Sequence, residues 1–168
     1  MKYKRFEELP VWQAAIKLAL GIFSLTAKPI FRRYRGLRDQ IERAGVSISN
    51  NIAEGFERGT TNELLAFLYI ARGSAGEVRS MLCLLELMPD FADLKSEISD
   101  LKFLAEDVSK QLRGWANSLQ NSEIKGQRYL TDRTRHSAQA SKEREEFLAE
   151  LRRVQDEHLA KIQKGREA

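Results

Sequence analysis

Residues Gly36 to Arg58 read GLRDQIERAGVSISNNIAEGFER, and two different stripes run along this stretch at helical spacing. Leu37, Ile41, Ala44, Ile48 and Ile52 recur at three- and four-residue steps, which brings them to one face of an α-helix and predicts a core-facing stripe. Beside them run Gln40, Arg43, Ser47, Asn50, Asn51, Glu54 and Arg58. Hydrogen-bonding groups at the border of an apolar interface must find partners or stay in water, because one buried and unpaired group costs about 1–3 kcal/mol. This polar row is the first candidate site.

Working outward, the flanking segments repeat the helical period. Upstream, Pro10 suits a first helical position, and Val11, Ala15, Leu18, Ile22 and Leu25 carry a stripe toward Pro29. Downstream, Thr60 and Glu63 form a candidate capping box for a helix whose Leu64, Phe67, Leu68, Ala71, Ala75, Val78, Leu82 and Leu85 keep the period until Pro89. Asp90 is then expected to cap a fourth helix, with Phe91, Leu94, Ile98, Leu101, Ala105, Val108, Leu112, Trp115 and Leu119 as a bundle seam. Sustained two-residue alternation is missing, which excludes a sheet. Short connectors make neighbouring helices antiparallel. The expected fold is all-α: an up-down-up-down antiparallel four-helix bundle over residues 1–120. Residues 121–168 are expected to form a polar linker or disordered arm and a charged helical tail. There Phe147, Leu151, Val154 and Ile162 make a thin stripe among Glu, Arg and Lys, which reads either as a solvated helix or as a partner-binding arm.

Hydrophobic residues make up 42% of the 168 and charged residues 31%, a composition for one domain with a real core plus an appendage. The amino terminus MKYKRFEELP is charged and Lys17 interrupts the first apolar run, so neither a signal peptide nor a membrane span is expected. The single cysteine, Cys83, sits in an apolar helical run, which fits a packed thiol in a reducing compartment and makes the cytoplasm the expected location. The formal net charge is only +4, but its distribution is uneven. Lys28, Arg32, Arg33, Arg35, Arg38 and Arg43 crowd one connector and the start of the second helix, opposed locally by Asp39 and Glu42. These six are the candidate nucleic-acid-binding residues, since basic clusters attract phosphate.

Catalytic parts are scarce. Both histidines, His136 and His158, lie beyond the bundle, and no Glu-x-x-His pair of the kind used by carboxylate-bridged metal bundles occurs within it. Gly73 and Gly76 fall inside a helical period without the strand and lysine of a nucleotide loop, and are expected to let two helices approach closely. No catalytic residue, metal or cofactor is expected. What remains is polar chemistry inside a bundle: Gln40, Arg43, Ser47, Asn51 and Glu54 are expected to meet Arg72, Ser74 and Glu77 on the third helix and Gln13 on the first. Arg43 and Glu54 should each find a partner on another helix. Such a layer either fixes helix register or lines a subunit interface or an RNA-facing groove, and the readings are compatible if the bundle oligomerises.

The run QIERAGVSISNNIAEGFERG, followed by YIARGSAGEV and preceded by VWQAAIKLAL, resembles the signature of the 23S ribosomal RNA intervening-sequence protein family over about residues 6 to 119. Gln40, Arg43, Ser47, Asn51, Ala53, Glu54 and Gly55 match its second-helix motif, and Ala71, Gly73, Ser74 and Glu77 its third-helix motif. Arg35 departs from the pattern, standing where an aromatic residue often precedes the Gly-Leu pair, and the tail beyond about Asn121 has no counterpart in compact members. The family is similar in fold to the accessory variability proteins of diversity-generating retroelements, which form ring-shaped homopentamers and engage a reverse transcriptase and nucleic acid. The resemblance implies a non-enzymatic homo-oligomer, a pentamer by that likeness, that binds RNA or other structured nucleic acid and accompanies a reverse transcriptase. The alternative is a protein scaffold whose bundle surface and tail recruit a partner, with no direct nucleic-acid contact.

Overall fold

The computed structural model describes residues 3–121 and 143–153. The chain divides into two units, with four long helices in the first (Met1–Arg128) and residues 143–153 in the second (Tyr129–Ala168). The helices are α1 (Pro10–Thr26), α2 (Arg35–Glu57), α3 (Thr61–Leu87) and α4 (Lys95–Gln120). Each packs on two others: α1 on α2 and α4, and α3 on the same two. The result is the antiparallel up-down-up-down four-helix bundle that the connectors require.

The apolar stripes meet in one core. Ile41, Ile48 and Ile52 of α2, Leu18, Ile22 and Leu25 of α1, Leu64, Leu82 and Leu85 of α3, and Ile98, Val108 and Leu112 of α4 are all fully buried. Each buried aliphatic side chain contributes about 1.5–3 kcal/mol relative to an exposed one, so the seams rather than helix propensity hold the bundle together. At the α2–α3 end, Thr60 Oγ1 accepts from the Glu63 backbone N–H at 3.2 Å, and its hydroxyl donates to Glu63 Oε2 at 2.8 Å. The expected N-cap is in place.

At the opposite end two connectors solve one problem the same way. Lys28 and Met88 each precede a proline and take extended backbone, with ψ of 144° and 126°, because a following proline disfavours the helical conformation. Each proline then opens a 3₁₀ turn, Pro29–Arg33 and Pro89–Leu94. The second turn corrects the expectation for Asp90. That residue does not cap α4, which starts at Lys95; it lies within the 3₁₀ turn, and Phe91 beside it plugs the end of the core at 0% exposure.

Close helix approach is found at other glycines than those expected. A Cβ on Gly73 or Gly76 would meet nothing within 4 Å, so both are open surface positions. The tight positions are Gly21, where a Cβ would run into Leu101; Gly45, where it would lie 2.7 Å from Ile22 Cδ1; and Gly55, where it would lie 2.7 Å from Phe67 Cβ. Residues 143–153 are helical and exposed throughout. Val154, Ile162, His136, His158 and the expected linker after Asn121 lie outside the described residues.

Candidate nucleic-acid interface

The two proline turns bring together groups that are far apart in sequence. Phe31 packs edge-on to Phe91 with ring centroids 5.1 Å apart, and Tyr34 leans on the same ring at 5.4 Å. This aromatic anchor fixes the backbone on both sides of the basic connector. The Tyr34 hydroxyl donates to Asp90 Oδ2 at 2.7 Å, and the bond holds the phenol above its ordinary pKa.

Anchoring sorts the basic residues into two sets. Lys28 pairs with Glu97 at 3.0 Å, Arg33 with Asp90 at 2.9 Å and Arg38 with Glu42 at 2.9 Å. Two of these carboxylates come from the α3–α4 side of the bundle, so local sequence understates the opposing charge. Arg32 and Arg35 are exposed, and among the described residues no carboxylate lies within ion-pair distance of either. They flank Tyr34, with Arg33 stacked over its ring at 5.8 Å. Arg43 faces Gln40, its guanidinium donating to Gln40 Oε1 at 2.5 Å. The unneutralised cations at this end are therefore centred on Arg32 and Arg35.

Most of the polar row of α2 finds partners, some on α3 as expected and others not. Gln40 donates to Glu77 across the α2–α3 contact, and Ser47 Oγ lies 2.9 Å from Ser74 Oγ. Asn51 Nδ2 donates back to the Ser47 carbonyl at 2.7 Å and to its hydroxyl at 3.0 Å. The Gln40–Glu77 and Ser47–Ser74 contacts join α2 to α3, whereas the Asn51 bonds stay within α2. Arg43 and Glu54, however, find partners one turn away along their own segment, Gln40 of α2 and Arg58 at its C-cap respectively, the latter at 2.6 Å. A long side chain one helical turn away is nearer than one on a neighbouring helix. Gln13 turns to the amino-terminal segment and donates to the Glu7 carbonyl at 2.9 Å. Arg72 faces α4, lining a cleft with Glu106 and Lys110. Among the described residues no buried side-chain nitrogen or oxygen lacks a partner.

Part of the row also lines a surface groove of about 630 Å³ between α1 and α2, where Arg43, Ser47, Asn50 and Asn51 meet Phe23, Val46, Asp39 and Glu42. Two polar contacts of this region escaped sequence reasoning. Thr26, 1% exposed, donates to Glu42 Oε1 at 2.6 Å, so Glu42 serves α1 as well as Arg38. Ser49 is buried and donates to the Val46 carbonyl at 3.1 Å. Neither residue has a charge or periodic spacing that marks it.

Among the described residues no group of three or more His, Cys, Asp or Glu side chains is placed to hold a metal ion, and no helix is long and apolar enough to cross a membrane. Cys83 is half-buried.

The family description "23S rRNA-intervening sequence protein" matches residues 7–114, which takes in all of α1, α2 and α3 and most of α4. The chain belongs to the 23S rRNA-intervening sequence protein family. Arg32, Arg35, the polar row and the proline turns all fall inside that match, so the anchored basic end is part of this chain's family region. A similar solved structure is a protein of unknown function from the S23 ribosomal protein family of Bacteroides thetaiotaomicron VPI-5482. It is 20% identical, covers 63% of this chain and 97% of its own, and superposes with a TM-score of 0.54. That likeness concerns the fold. No curated protein matches the chain.

Proposed function

We propose that this 23S rRNA-intervening sequence family member is a non-enzymatic RNA-binding bundle that engages phosphates at the proline-turn end. The observation that carries the reading is the pair Arg32 and Arg35, exposed and, among the described residues, free of carboxylate partners, where α2 begins after a connector held by the Phe31–Phe91–Tyr34 anchor. A rigid support lowers the ordering cost of contact. Guanidinium groups suit bidentate phosphate recognition. Lys28, Arg33 and Arg38 exchange their carboxylates for phosphates only when RNA competes for them, and Arg43 extends the basic surface toward the α1–α2 groove. Binding of this type reads charge and shape, with little dependence on base sequence.

The family name supports RNA as the nucleic acid. The expected similarity in fold between this family and the accessory variability proteins adds the rest of the proposal: a cytoplasmic homopentamer that accompanies a reverse transcriptase. The direct test is a fluorescence-polarisation titration of a structured RNA hairpin with wild type and with Arg32→Ala/Arg35→Ala. The reading predicts weaker binding by the variant, and equal affinity overturns it.

A second reading rests on a different observation. In residues 143–153, Phe147, Leu148 and Leu151 are 64%, 42% and 42% exposed on one short helix, an apolar face suited to a protein partner. Under this reading the chain is a scaffold. Loss of a protein partner on removal of residues 122–168, with RNA binding intact, assigns that role to the tail alone.

A further inference from the structure

We propose that the face shared by α3 and α4 carries a second anion site, a cleft that takes two adjacent phosphate groups. It has a volume of about 190 Å³ and is lined by Arg72 and Arg79 of α3 and by Glu106, Ser109, Lys110 and Arg113 of α4. Arg72 and Arg79 are seven residues apart and the α4 residues three, four and seven apart, so each set lies along one face of its helix. Two antiparallel helices thus bring four cations to one cleft against a single carboxylate.

That carboxylate is already engaged. Glu106 pairs with Lys110 at 2.8 Å, and the Lys110 hydrogen bond and charge, helped by the nearby Arg79, hold its carboxyl below the usual carboxylate range. Among the described residues no carboxylate lies within ion-pair distance of Arg72, Arg79 or Arg113. Arg72 is half-buried, whereas Arg79 and Arg113 are exposed. Like charges that outnumber their counter-ions raise the free energy of the empty protein, and an oxyanion relieves this.

The lining also sets the class of ligand. Guanidinium groups on both walls offer paired N–H donors to phosphate oxygens, and the half-buried Ser109 adds a hydroxyl. Four cations against the one carboxylate of Glu106 leave a lining of net charge +3, which suits two adjacent phosphate groups better than one. Glu106 repels anions from the Lys110 side and directs them toward Arg72 and Arg113. The site is separate from the proline-turn end: at 1.5 Å per residue, Glu106 to Arg113 lie roughly 16–27 Å along α4 from Lys95.

The test is a titration of the full-length protein with inorganic pyrophosphate, followed by NMR of the arginine side-chain N–H signals. The proposal predicts saturable shifts for Arg72, Arg79 and Arg113. Arg79→Gln/Arg113→Gln, both exposed positions, should weaken binding by about tenfold or more. Arg32→Gln/Arg35→Gln, at the distant end, should leave it within about twofold, and Glu106→Gln, which frees Lys110, should tighten it. A single-stranded RNA oligonucleotide that displaces the pyrophosphate assigns the phosphates to a nucleic-acid backbone; failure to displace it assigns them to a free diphosphate compound. Shifts that stay linear with concentration, or binding lost equally in the Arg32/Arg35 variant, overturn the proposal. Because the two arginine pairs are tested separately, this site and the proline-turn site stand or fall independently.

Discussion

The Tyr34 hydroxyl donates to Asp90 across the end of the bundle, at 2.7 Å, and joins the α1–α2 connector to the α3–α4 connector. The same carboxylate receives Arg33 at 2.9 Å. Asp90 therefore locks the connector and neutralises part of its charge.

The first prediction concerns Tyr34 itself. Its bond to Asp90 favours the protonated phenol and raises its pKa above the ordinary 10.0. A raised folded-state pKa means that the stabilisation is fully present below the unfolded tyrosine pKa and is lost as pH rises through the folded one. Ultraviolet titration of the four tyrosines should show one late phenol, absent in Tyr34→Phe and shifted toward the ordinary value in Asp90→Asn. A late phenol that persists in Tyr34→Phe contradicts the assignment.

Asp90→Asn has a further consequence, because it releases Arg33. One more free cation at the RNA-binding end should raise affinity and steepen the salt dependence of binding by about 0.7–0.9 in log–log slope. Polarisation titrations at several salt concentrations measure both. A slope equal to wild type would show that Arg33 does not contact phosphate.

The glycines divide by their surroundings. Gly55→Ala places a methyl 2.7 Å from Phe67 Cβ, an atom too close to the backbone to swing away, and should destabilise the bundle by about 1–3 kcal/mol. Gly73→Ala and Gly76→Ala meet nothing within 4 Å and should each stabilise it by up to about 1 kcal/mol through helix propensity. Chemical denaturation distinguishes the two classes by sign.

The Ser47–Ser74 contact at 2.9 Å links α2 to α3 in the half-buried part of the polar row. A double-mutant cycle with Ser47→Ala and Ser74→Ala should give a coupling of about 0.5–1.5 kcal/mol. Zero coupling would mean that the hydroxyls contribute nothing jointly to the α2–α3 contact.

Much of this architecture was legible in the chain, for identifiable reasons. Pro10 at the start of α1, the Thr60–Glu63 cap and the three- and four-residue spacing of Ile41, Ile48 and Ile52 are local signals, and local signals locate helices. That Gln40 and Ser47 meet polar groups of α3 was also legible, though not the individual pairs, since residues bordering two facing stripes are brought together by the bundle. The errors came from choices that depend on three-dimensional neighbours. Arg72 lies on the α4 side of α3, which only the rotation of α3 decides. Glu97 and Asp90 reach the basic connector from more than fifty residues away, so a charge count along the sequence missed them. Gly73 and Gly76 resembled packing glycines by position, whereas Gly21, Gly45 and Gly55 meet side chains of facing helices. The α3–α4 cleft was hidden because Arg72, Arg79, Lys110 and Arg113 are scattered in sequence and gathered only by antiparallel packing.

The central claim is that the proline-turn end binds RNA through its unneutralised arginines. The measurement that tests it most directly is the slope of log affinity against log salt for a structured RNA, in wild type and in Arg32→Gln/Arg35→Gln. With about 0.7–0.9 counterions released per phosphate contact, the double variant should bind more weakly and its slope should be shallower by about 1.4–1.8. Unchanged affinity and an unchanged slope would contradict the claim.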